Sequence, residues 1–412
     1  MKIEVYSPTI RRKEMDAVLT AMVEDKIGPG EQAKFLIQTA RERIKFDYCL
    51  ALRSPAIALH LALKALGLQR GQGVMVSALS PLYYVRVIED LGLEIHYCDV
   101  LSSTVTMSRE TVEKALALTP GADIRCIVLH HSLGYLNDSA AIAGLGIPVI
   151  EDCSRSYGTV IGEGEAGLTA ESGGRVRSSM GTGVSDGNAA SAGITVLDKN
   201  IAPAGNIISS GSIVPTGNVG VFTILGLEER DMLTSGGGAL LYSANRRDAA
   251  VLRNAGELPP EYGLPDMNAA LAVVQFREAA KNLIKRREIA KLYTQSALRT
   301  HHKRFVQLDI QNPKTTSVVN DESHEKQPVE YNNYAFPLLL ETGLKEVKVY
   351  ARKKDIAVEN AFDNTLTGAG IVPPEQCPEA YSLSLRTVLF PIYPRLGMTD
   401  AEKVAKLILT LP

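Results

Sequence analysis

The sequence predicts an α/β fold: a large domain with a mostly parallel sheet flanked by helices, and a smaller C-terminal α/β domain. Through residues 56–152, short apolar segments of strand length alternate with helical segments, which is typical of parallel sheets covered on both faces. From Tyr334 onward the pattern is again strand–helix–strand–helix. With 412 residues, 45% of them hydrophobic, the chain is long enough for more than one domain and a sizeable core. We place the large domain at residues 1–275 and the small domain at 276–412.

Periodicity and helix-ending glycines indicate the first elements of the large domain. A helix is predicted over residues 56–67, where alanines and leucines lead to a terminal glycine. Residues 73–76 are short and apolar, as expected of a buried strand, and a helix over 85–91 ends at Gly92. The next elements follow in order: a strand at 94–100, a helix from its N-cap Ser108 to about Leu118, a strand at 124–130 and a strand at 147–152.

Residues 162–218 differ in composition from the rest of the chain. They are crowded with Gly, Ser and Ala and nearly lack aromatic residues. A structureless run of this length is unusual inside a compact domain. We therefore predict an inserted lid or subdomain here, with possible short strands at Ile194–Leu197 and Asn206–Ser210.

The second half of the large domain resumes with strand patterns. Residues 220–223 are predicted as a strand and 224–231 as an exposed loop, and a glycine-rich segment leads into a second strand that ends near Leu241. The later elements follow in order: a helix at 246–253, a long helix at 267–298 and a polar loop at 307–329.

Bulk properties exclude several classes of protein. The net charge of −2 gives no overall field that would favour nucleic acid. The five cysteines are far apart and the seven histidines lack metal-ligand spacing, so neither a disulfide framework nor a metal site is expected. The charged start of the chain does not resemble a signal peptide, and no apolar stretch reaches membrane-spanning length. We expect a cytoplasmic protein without a membrane partner.

Several polar residues are predicted to lie at one edge of the sheet. Ligands of parallel sheets bind beyond the carboxyl ends of the strands. His130 and His131 follow one predicted strand, and Glu151 and Asp152 end another. This edge is therefore the expected position of a functional site.

Six motifs follow one another along the chain. They are Gly28-Pro29-Gly30 with Phe35, residues 54–63 with a Ser-x-Ala-x-Ala-Leu-His pattern, His131-Ser132-Leu133-Gly134, the aspartate motif at 150–158, Leu264-Pro265-Asp266 with Gln275, and the closing segment 383–396. In this order they resemble the motifs of the DegT/DnrJ/StrS family of fold-type I, pyridoxal-phosphate-dependent sugar aminotransferases. The resemblance implies a seven-stranded large-domain sheet, a homodimer and a nucleotide-sugar ligand.

The resemblance also implies a set of cofactor-binding residues. Asp152 matches the carboxylate that keeps the pyridine nitrogen protonated, so that the ring can accept electrons. Thr223 matches a serine that contacts phosphate, and Arg155 is a further source of charge for the phosphate. The remaining implied contacts are Ser54 in the phosphate loop, Tyr83 as a stacking aromatic and His131 in its own motif.

Other positions depart from the family pattern. Pro55 and Ala56 replace a glycine and a threonine, which removes an N–H and a hydroxyl from the phosphate-binding helix terminus. Pro81 stands where the stacking aromatic is expected, and Glu261 stands where a partner-subunit asparagine is expected. A carboxylate at that place would repel phosphate.

The largest departure concerns the lysine that forms the Schiff base. No lysine occurs between Lys199 and Lys281. Counting back from the glycine-rich segment places the missing lysine at Arg230, and counting forward from Val221 places it at Glu228. A protonated guanidinium is a poor nucleophile. Lys199, followed by Asn200 and Ile201, resembles the family's lysine motif and is the one alternative amine.

Three functions remain open at this point. The first is an active sugar aminotransferase that uses Lys199. The second is a lysine-free relative that binds the cofactor and catalyses dehydration or other chemistry. The third is a non-catalytic member that retains the fold to bind a nucleotide sugar or a partner subunit. Departures at four positions of one site favour a degenerate, catalytically impaired site, although a fold alone does not establish function.

Overall fold

The computed structural model describes residues 2–161, 214–215, 217, 219–254, 258–306, 329–341 and 343–412. Lys199 and the possible strands at Ile194–Leu197 and Asn206–Ser210 lie outside these ranges, as does nearly all of the predicted insertion. The helices of the described part are α1 (Arg12–Val23), α2 (Glu31–Arg41), α3 (Pro55–Ala65), α4 (Tyr83–Asp90), α5 (Arg109–Leu118), α6 (Ser139–Ala143), α7 (Arg246–Arg253), α8 (Asp266–Ala297), α9 (Leu344–Arg352), α10 (Pro378–Arg386) and α11 (Met398–Leu409). The strands are β1 (Tyr48–Leu52), β2 (Gly73–Ser77), β3 (Glu94–Cys98), β4 (Ile124–His130), β5 (Val149–Asp152), β6 (Val160–Ile161), β7 (Val214–Pro215), β8 (Phe222–Gly226), β9 (Ala239–Ser243), β10 (Val329–Glu330), β11 (Phe336–Leu339), β12 (Glu359–Asn360) and β13 (Thr387–Phe390).

The centre of the molecule is a seven-stranded sheet in the order β1-β9-β8-β5-β4-β2-β3. Its strands are parallel except for β9, which is antiparallel to both of its neighbours. The predicted α/β fold with a mostly parallel, seven-stranded sheet is therefore confirmed. Because β9 alone is reversed, the carboxyl ends of the other six strands lie at the same edge of the sheet.

Helices cover both faces of this sheet, as the continuous apolar strands predicted. On one face, α3 and α4 pack over a core that includes Leu59, Tyr84 and Phe222. On the other face, α2 and α8 cover one half of the sheet and α5 and α6 the other half. Helix α3 begins at Pro55. A proline is well suited to this position, because the N–H of a first-turn residue makes no hydrogen bond within the helix.

The strand β8 extends further than the sequence predicted. Ile224–Gly226 were assigned to an exposed loop, and this assignment is wrong, because these residues are buried and paired. Ile224 pairs with Asp152 of β5 on one side, and Gly226 pairs with Ala239 of β9 on the other. The backbone N–H and C=O groups of a central strand need partners, so β8 continues as far as β5 or β9 provides them. The loop between β8 and β9 is residues 227–238.

A small three-stranded sheet, in the order β10-β6-β7, lies at the boundary of the undescribed segment. Val160 pairs with Pro215, and Ile161 pairs with Val214, in antiparallel register. The chain therefore leaves the described part at residue 161 and returns beside the same point at residue 214.

The C-terminal part contains a second sheet, in the order β11-β13-β12. Its core combines Phe336 and Phe390 of this sheet with Ile289 and Tyr293 of α8. The first half of α8 packs against the large-domain core through residues such as Phe276. The helix is continuous across residues 275–276, and the division of the chain there stays a prediction. In the described ranges, no helix combines the length and apolar content that crossing a bilayer requires.

Candidate active site at the carboxyl ends of the strands

Asp152, at the end of β5, is the centre of the polar cluster at this edge of the sheet. The residue is 1% exposed. Its Oδ1 accepts hydrogen bonds from the backbone N–H of Ser154, at 3.0 Å, and from the Ser154 hydroxyl, at 2.5 Å. The same Ser154 hydroxyl accepts a hydrogen bond from the N–H of Gly226 at 2.8 Å. Ser154, two residues after Asp152, thereby fixes the position of Oδ1.

Three aromatic side chains surround the other oxygen of Asp152. The Tyr84 hydroxyl donates to Oδ2 at 2.7 Å, and the Tyr83 hydroxyl lies 3.4 Å from the same atom. His130 Nδ1 lies 3.3 Å from it. Burial alone would raise the pKa of Asp152, but the hydrogen bonds from His130, Ser154 and Tyr84 lower it. Asp152 is therefore an ionised carboxylate whose lone pairs are used by its own protein.

His130 is held in one orientation by this contact. Burial lowers its pKa, and its interactions with Asp152 offset only part of that effect, so the neutral imidazole is favoured. A proton on Nδ1 suits the contact with ionised Asp152, which leaves Nε2 as the nitrogen with a free lone pair. Among the described residues, Nε2 is buried and has no hydrogen-bond partner.

His131 belongs to a different cluster on the opposite face of the sheet, because successive residues of a strand point to opposite sides. Its Nδ1 accepts a hydrogen bond from the backbone N–H of Asn137 at 3.1 Å. Its Nε2 lies 3.6 Å from Glu151 Oε1. The other oxygen of Glu151 accepts from the N–H groups of Val219 and Gly220 at 3.0 and 2.9 Å. Through Glu151, the His131 side chain therefore supports the residues just before β8, on the face of the sheet opposite to the Asp152 side chain.

Among the described residues, the side-chain hydrogen bonds of Asp152 come from neither Arg230 nor Glu228, the two positions suggested for the lysine. Arg230 turns outward, is about half exposed, and pairs with Glu359 through two hydrogen bonds of 2.7 and 3.2 Å. Its guanidinium also lies 5.6 Å from the centre of the Tyr6 ring. The backbone N–H of Glu228 donates to Asp231 at 2.9 Å. Arg230 is thus a surface contact between the loop and the C-terminal part of the chain.

Asp231 is the loop residue that turns inward, and the sequence analysis missed it. A Cβ atom on Gly226 would lie 2.3 Å from Asp231 Oδ2 and 2.7 Å from Ser154 Oγ, so this glycine allows the carboxyl to approach β8. Burial, followed by repulsion from Asp152, raises the pKa of Asp231 to about 7. Counting along the sequence gave no signal for this residue, because the course of the loop depends on contacts with distant segments.

Those contacts hold the 227–238 loop from three sides. The Tyr6 hydroxyl donates to the carbonyl of Glu229, and the Tyr334 hydroxyl donates to the carbonyl of Arg230 at 2.8 Å. The N–H of Met232 donates to the carbonyl of Ser154 at 3.0 Å. The loop is therefore bound to the N-terminal segment, to the C-terminal part and to the chain that follows β5.

The other predicted cofactor contacts have partners within the protein. Ser54 caps α3, and its hydroxyl accepts from the N–H of Ile57 at 3.2 Å. The buried Thr223 hydroxyl donates to the carbonyl of Gly217 at 2.6 Å. The Arg155 guanidinium lies 5.5 Å from the centre of the Tyr334 ring. Burial would lower the pKa of Arg155, but Tyr334, Asp231 and Asp152 raise it.

These placements allow a test of fit to pyridoxal phosphate. The ring nitrogen of the cofactor needs a carboxylate oxygen, but both oxygens of Asp152 already have protein donors. The Thr223 hydroxyl, assigned to the phosphate, is committed to Gly217. No amine lies in the 227–238 loop. In the part of the chain that the structure describes, the residues do not fit this cofactor held as a Schiff base.

Comparison with protein families gives a match over most of the chain. The model of the DegT/DnrJ/EryC1/StrS aminotransferase family matches residues 8–173 and 244–409. Among curated proteins, the GDP-perosamine synthase of Escherichia coli O157:H7 is 28% identical over 162 residues. That match covers 38% of this chain and 43% of the relative, so it spans less than half of the length of the relative.

Comparison with solved structures shows the same fold. The aminotransferase TlmJ from Streptoalloteichus hindustanus has a TM-score of 0.72 at 16% identity, over 98% of this chain and 97% of that one. The protein Spr1654 from Streptococcus pneumoniae, in its PLP form, has the same score and identity over 100% of this chain and 98% of that one. The H188N mutant of the dehydratase ColD, with bound GDP-perosamine, has a TM-score of 0.70 at 14% identity over 98% and 100%. At these identities the likenesses concern the fold.

Proposed function

Because the chain belongs to the DegT/DnrJ/EryC1/StrS aminotransferase family, we propose that it is a nucleotide-sugar-binding member that does not transaminate. Pyridoxal phosphate binds in members of this fold, as the PLP form of one structural neighbour illustrates. In this chain the former cofactor site is occupied by its own side chains, and the fold is retained for binding.

One observation carries the proposal: the hydrogen bonds of the Asp152 carboxylate. A pyridinium nitrogen would have to displace the Tyr84 hydroxyl, which donates to Oδ2 at 2.7 Å. Tyr84 is fully buried, so its displacement would cost this buried hydroxyl its carboxylate acceptor. Losing a hydrogen bond to a charged group costs about 1.5–3 kcal/mol, which the cofactor would have to offset before it bound.

The 227–238 loop supports the same conclusion. A transaminase needs an amine that forms an imine with the cofactor and then moves a proton. The inward-facing residue here is Asp231, a carboxylic acid, and the outward-facing Arg230 is paired with Glu359. Neither side chain can form the imine.

The proposed ligand is a nucleotide-linked sugar. A named relative is a GDP-perosamine synthase, and a neighbouring structure holds GDP-perosamine. Family membership also supports a homodimer and a role in polysaccharide biosynthesis in the cytoplasm. These finer assignments are part of the proposal.

A cofactor titration tests the proposal directly. Purified protein is mixed with pyridoxal phosphate, treated with borohydride and analysed by absorbance and intact mass, alongside Lys199→Ala. We expect no visible band of an internal Schiff base and no borohydride-stable adduct. A band that borohydride abolishes in the native chain and that is absent from Lys199→Ala would overturn the proposal and establish Lys199 as the active amine.

Ligand binding is measured separately, by calorimetry with a GDP-linked 6-deoxy sugar and with GDP alone. Saturable binding of the sugar nucleotide without any cofactor supports the proposed role. If neither compound binds while the cofactor titration is also negative, the nucleotide-sugar assignment fails and the fold has another use.

One observation favours a second candidate, a lysine-free enzyme. His130 combines a carboxylate contact on Nδ1 with an unpartnered Nε2 among the described residues, which is the arrangement of a carboxylate-oriented general base. Saturable cofactor binding that borohydride cannot trap, and that His130→Asn weakens, would support this candidate over the first.

A further inference from the structure

Arg155, three residues after Asp152, carries a guanidinium that lacks an anionic partner in the described part of the chain. The residue is half-buried, and its guanidinium lies 5.5 Å from the centre of the Tyr334 ring. Among the described residues, no hydrogen bond or ion pair involves this side chain. A guanidinium carries five N–H donors in a planar fork that matches a carboxylate. These donors are therefore available to a ligand.

Asn332 holds Arg155 and Tyr334 in place. The side-chain amide of Asn332 donates to the carbonyl of Arg155 at 2.7 Å, and its Oδ1 accepts from the N–H of Tyr334 at 2.9 Å. Asn332 is itself 1% exposed. Groups that are already ordered lose less conformational entropy when a ligand binds. The backbone of Arg155 and the ring that faces its guanidinium are thus in place before any ligand arrives.

Asp231 approaches the same space from the 227–238 loop. The Arg155 guanidinium interacts electrostatically with the carboxyl groups of Asp231 and Asp152. Both oxygens of Asp152 accept side-chain hydrogen bonds, whereas Asp231 accepts from the backbone N–H of Glu228 at 2.9 Å. Burial, followed by repulsion from Asp152, raises the pKa of Asp231 to about 7, so at lower pH it is a carboxylic acid with an O–H to donate. A guanidinium and a carboxylic acid together provide donors for an anionic group.

We propose that Arg155 and Asp231 form a subsite for the carboxylate of an acidic sugar, which makes the ligand a nucleotide-linked hexuronic acid. This ligand class rests on the proposed nucleotide-sugar function and narrows it. Two N–H groups of the guanidinium donate to the two carboxylate oxygens, as in other bidentate arginine–carboxylate pairs, and the Asp231 hydroxyl donates to one of them. The half-buried rings of Tyr83 and Tyr334 border the subsite and offer apolar surface with polar edges to the sugar ring.

Local charge favours a single carboxylate over the diphosphate of a nucleotide at this place. A diphosphate brings about two negative charges, and the ionised Asp152, which interacts with the same guanidinium, repels them. A sugar carboxylate brings one negative charge, which the guanidinium of Arg155 balances, and protonated Asp231 adds no repulsion. The diphosphate is therefore expected outside this subsite.

The affinity of the subsite for a carboxylate depends on the protonation of Asp231. The titratable groups that interact with Asp231 come from its own loop, from β5 and the turn after it, from α4 and from the N-terminal segment: Glu228, Asp152, Arg155, Tyr83 and Tyr6. Burial raises the pKa of both tyrosines, so they stay neutral around pH 7. Ionisation of Asp231 removes its donor and adds a negative charge. Binding of a carboxylate should therefore weaken as the pH rises through about 7.

GDP-mannuronate and GDP-mannose test the proposal, because they differ only at C6, which is a carboxylate in the first and a hydroxymethyl group in the second. Isothermal titration calorimetry on the full chain at about pH 6 measures both affinities. The native protein is expected to bind GDP-mannuronate at least about 10-fold more tightly, as a charge-assisted bidentate pair would provide. Equal affinities, or tighter binding of GDP-mannose, overturn the proposal.

Arg155→Gln removes the guanidinium and should abolish this preference, while the affinity for GDP-mannose should change by less than about twofold. Arg246→Gln is the matched control, since Arg246 is exposed and follows the reversed strand β9, at the opposite edge of the sheet. Circular dichroism verifies that both variants are folded. A preference that survives Arg155→Gln, or an equal loss in the control, overturns the assignment. If Arg155→Gln weakens GDP alone to the same extent, the guanidinium holds the diphosphate and the carboxylate subsite is refuted.

Asp231→Asn tests the second donor. In the native protein, the preference for GDP-mannuronate over GDP-mannose should fall at least about fivefold between about pH 6 and about pH 8. The amide of the variant keeps an N–H donor and has no charge, so its preference should be the same at both pH values. A native preference that does not change with pH overturns the assignment of Asp231 to the subsite.

GDP alone and free glucuronate separate a failure of this subsite from a failure of the proposed function. If GDP-mannose binds as well as GDP-mannuronate, the function stands and the subsite fails. If no GDP compound binds, the assignment of a GDP-linked ligand fails, and saturation-transfer NMR with glucuronate and glucose decides on the subsite. A glucuronate signal that Arg155→Gln abolishes supports the subsite, and the absence of any glucuronate signal refutes it.

Discussion

Strand β8 and the 227–238 loop are consecutive in the chain but are held in place by different means. The residues of β8 are buried and paired on both sides, and their positions follow from an apolar pattern. The loop has few buried apolar residues, and its path depends on single contacts to Tyr6, Tyr334 and Ser154. The strand is held by a continuous ladder of backbone pairs, whereas the loop is held at separate backbone atoms of Glu229, Arg230 and Met232. Sequence divergence can therefore change the reactive side chains of the loop while the sheet keeps its structure.

The largest expected effect comes from breaking the strand. Phe222 is fully buried in the core, so Phe222→Ala should lower the free energy of unfolding by about 3–5 kcal/mol. Urea denaturation followed by circular dichroism measures it. Glu229→Ala, at an exposed loop position, should stay within about 0.5 kcal/mol of the native value. Equal losses in both variants would remove the contrast between strand and loop.

The next effect is a pH dependence that comes from the loop. The folded-state pKa of Asp231 is raised from 3.8 to about 7, so the folded state binds more protons than the unfolded state between these values. Stability therefore falls as pH rises from about 4 to about 7, by an amount on the order of a few kcal/mol. Unfolding measured across this range in the native chain and in Asp231→Asn should show that the variant loses the slope. If the stability of Asp231→Asn depends on pH as that of the native chain does, another group causes the dependence.

A smaller effect is expected where strand and loop touch. A Cβ atom on Gly226 would lie too close to Asp231 Oδ2 and Ser154 Oγ, so Gly226→Ala should cost about 1–3 kcal/mol. Combining it with Asp231→Ala should recover part of that loss in a double-mutant cycle. If the losses of the two single variants add up in the double variant, the methyl group added at position 226 does not contact Asp231.

The smallest effect concerns the outward-facing arginine. Arg230→Lys alters an exposed ion pair with Glu359, and such pairs contribute about 0–1 kcal/mol. It should also leave the protein unable to form a Schiff base with pyridoxal phosphate, because position 230 faces away from Asp152. Absorbance after borohydride treatment measures this, and an adduct at residue 230 would contradict the observed orientation of the loop.

The elements predicted from sequence were those that depend on repeated patterns. The parallel strands, the Ser108 cap of α5 and the long helix α8 follow from apolar periodicity and local capping, which are readable without tertiary contacts. The prediction failed at Ile224–Gly226, where pairing with both β5 and β9 extends the strand.

Single contacts of the site were harder to predict. Tyr83 and Tyr84 stand side by side at the start of α4, but only the packing of α4 on the sheet determines that Tyr84 makes the shorter contact with Asp152. Asp231 was missed for a similar reason. Its inward direction depends on contacts of the loop with residues more than a hundred positions away.

The pairing of β6 with β7 has a consequence for how this chain can vary. Since Ile161 and Val214 are adjacent across two strands, the intervening residues begin and end at one point on the molecule. A segment attached in this way can be lengthened, shortened or exchanged for a tight turn without moving the strands on either side, and the entropy of closing it changes only slowly with its length. Changes in the length of chain between β6 and β7 are therefore separated from the architecture of the seven-stranded sheet.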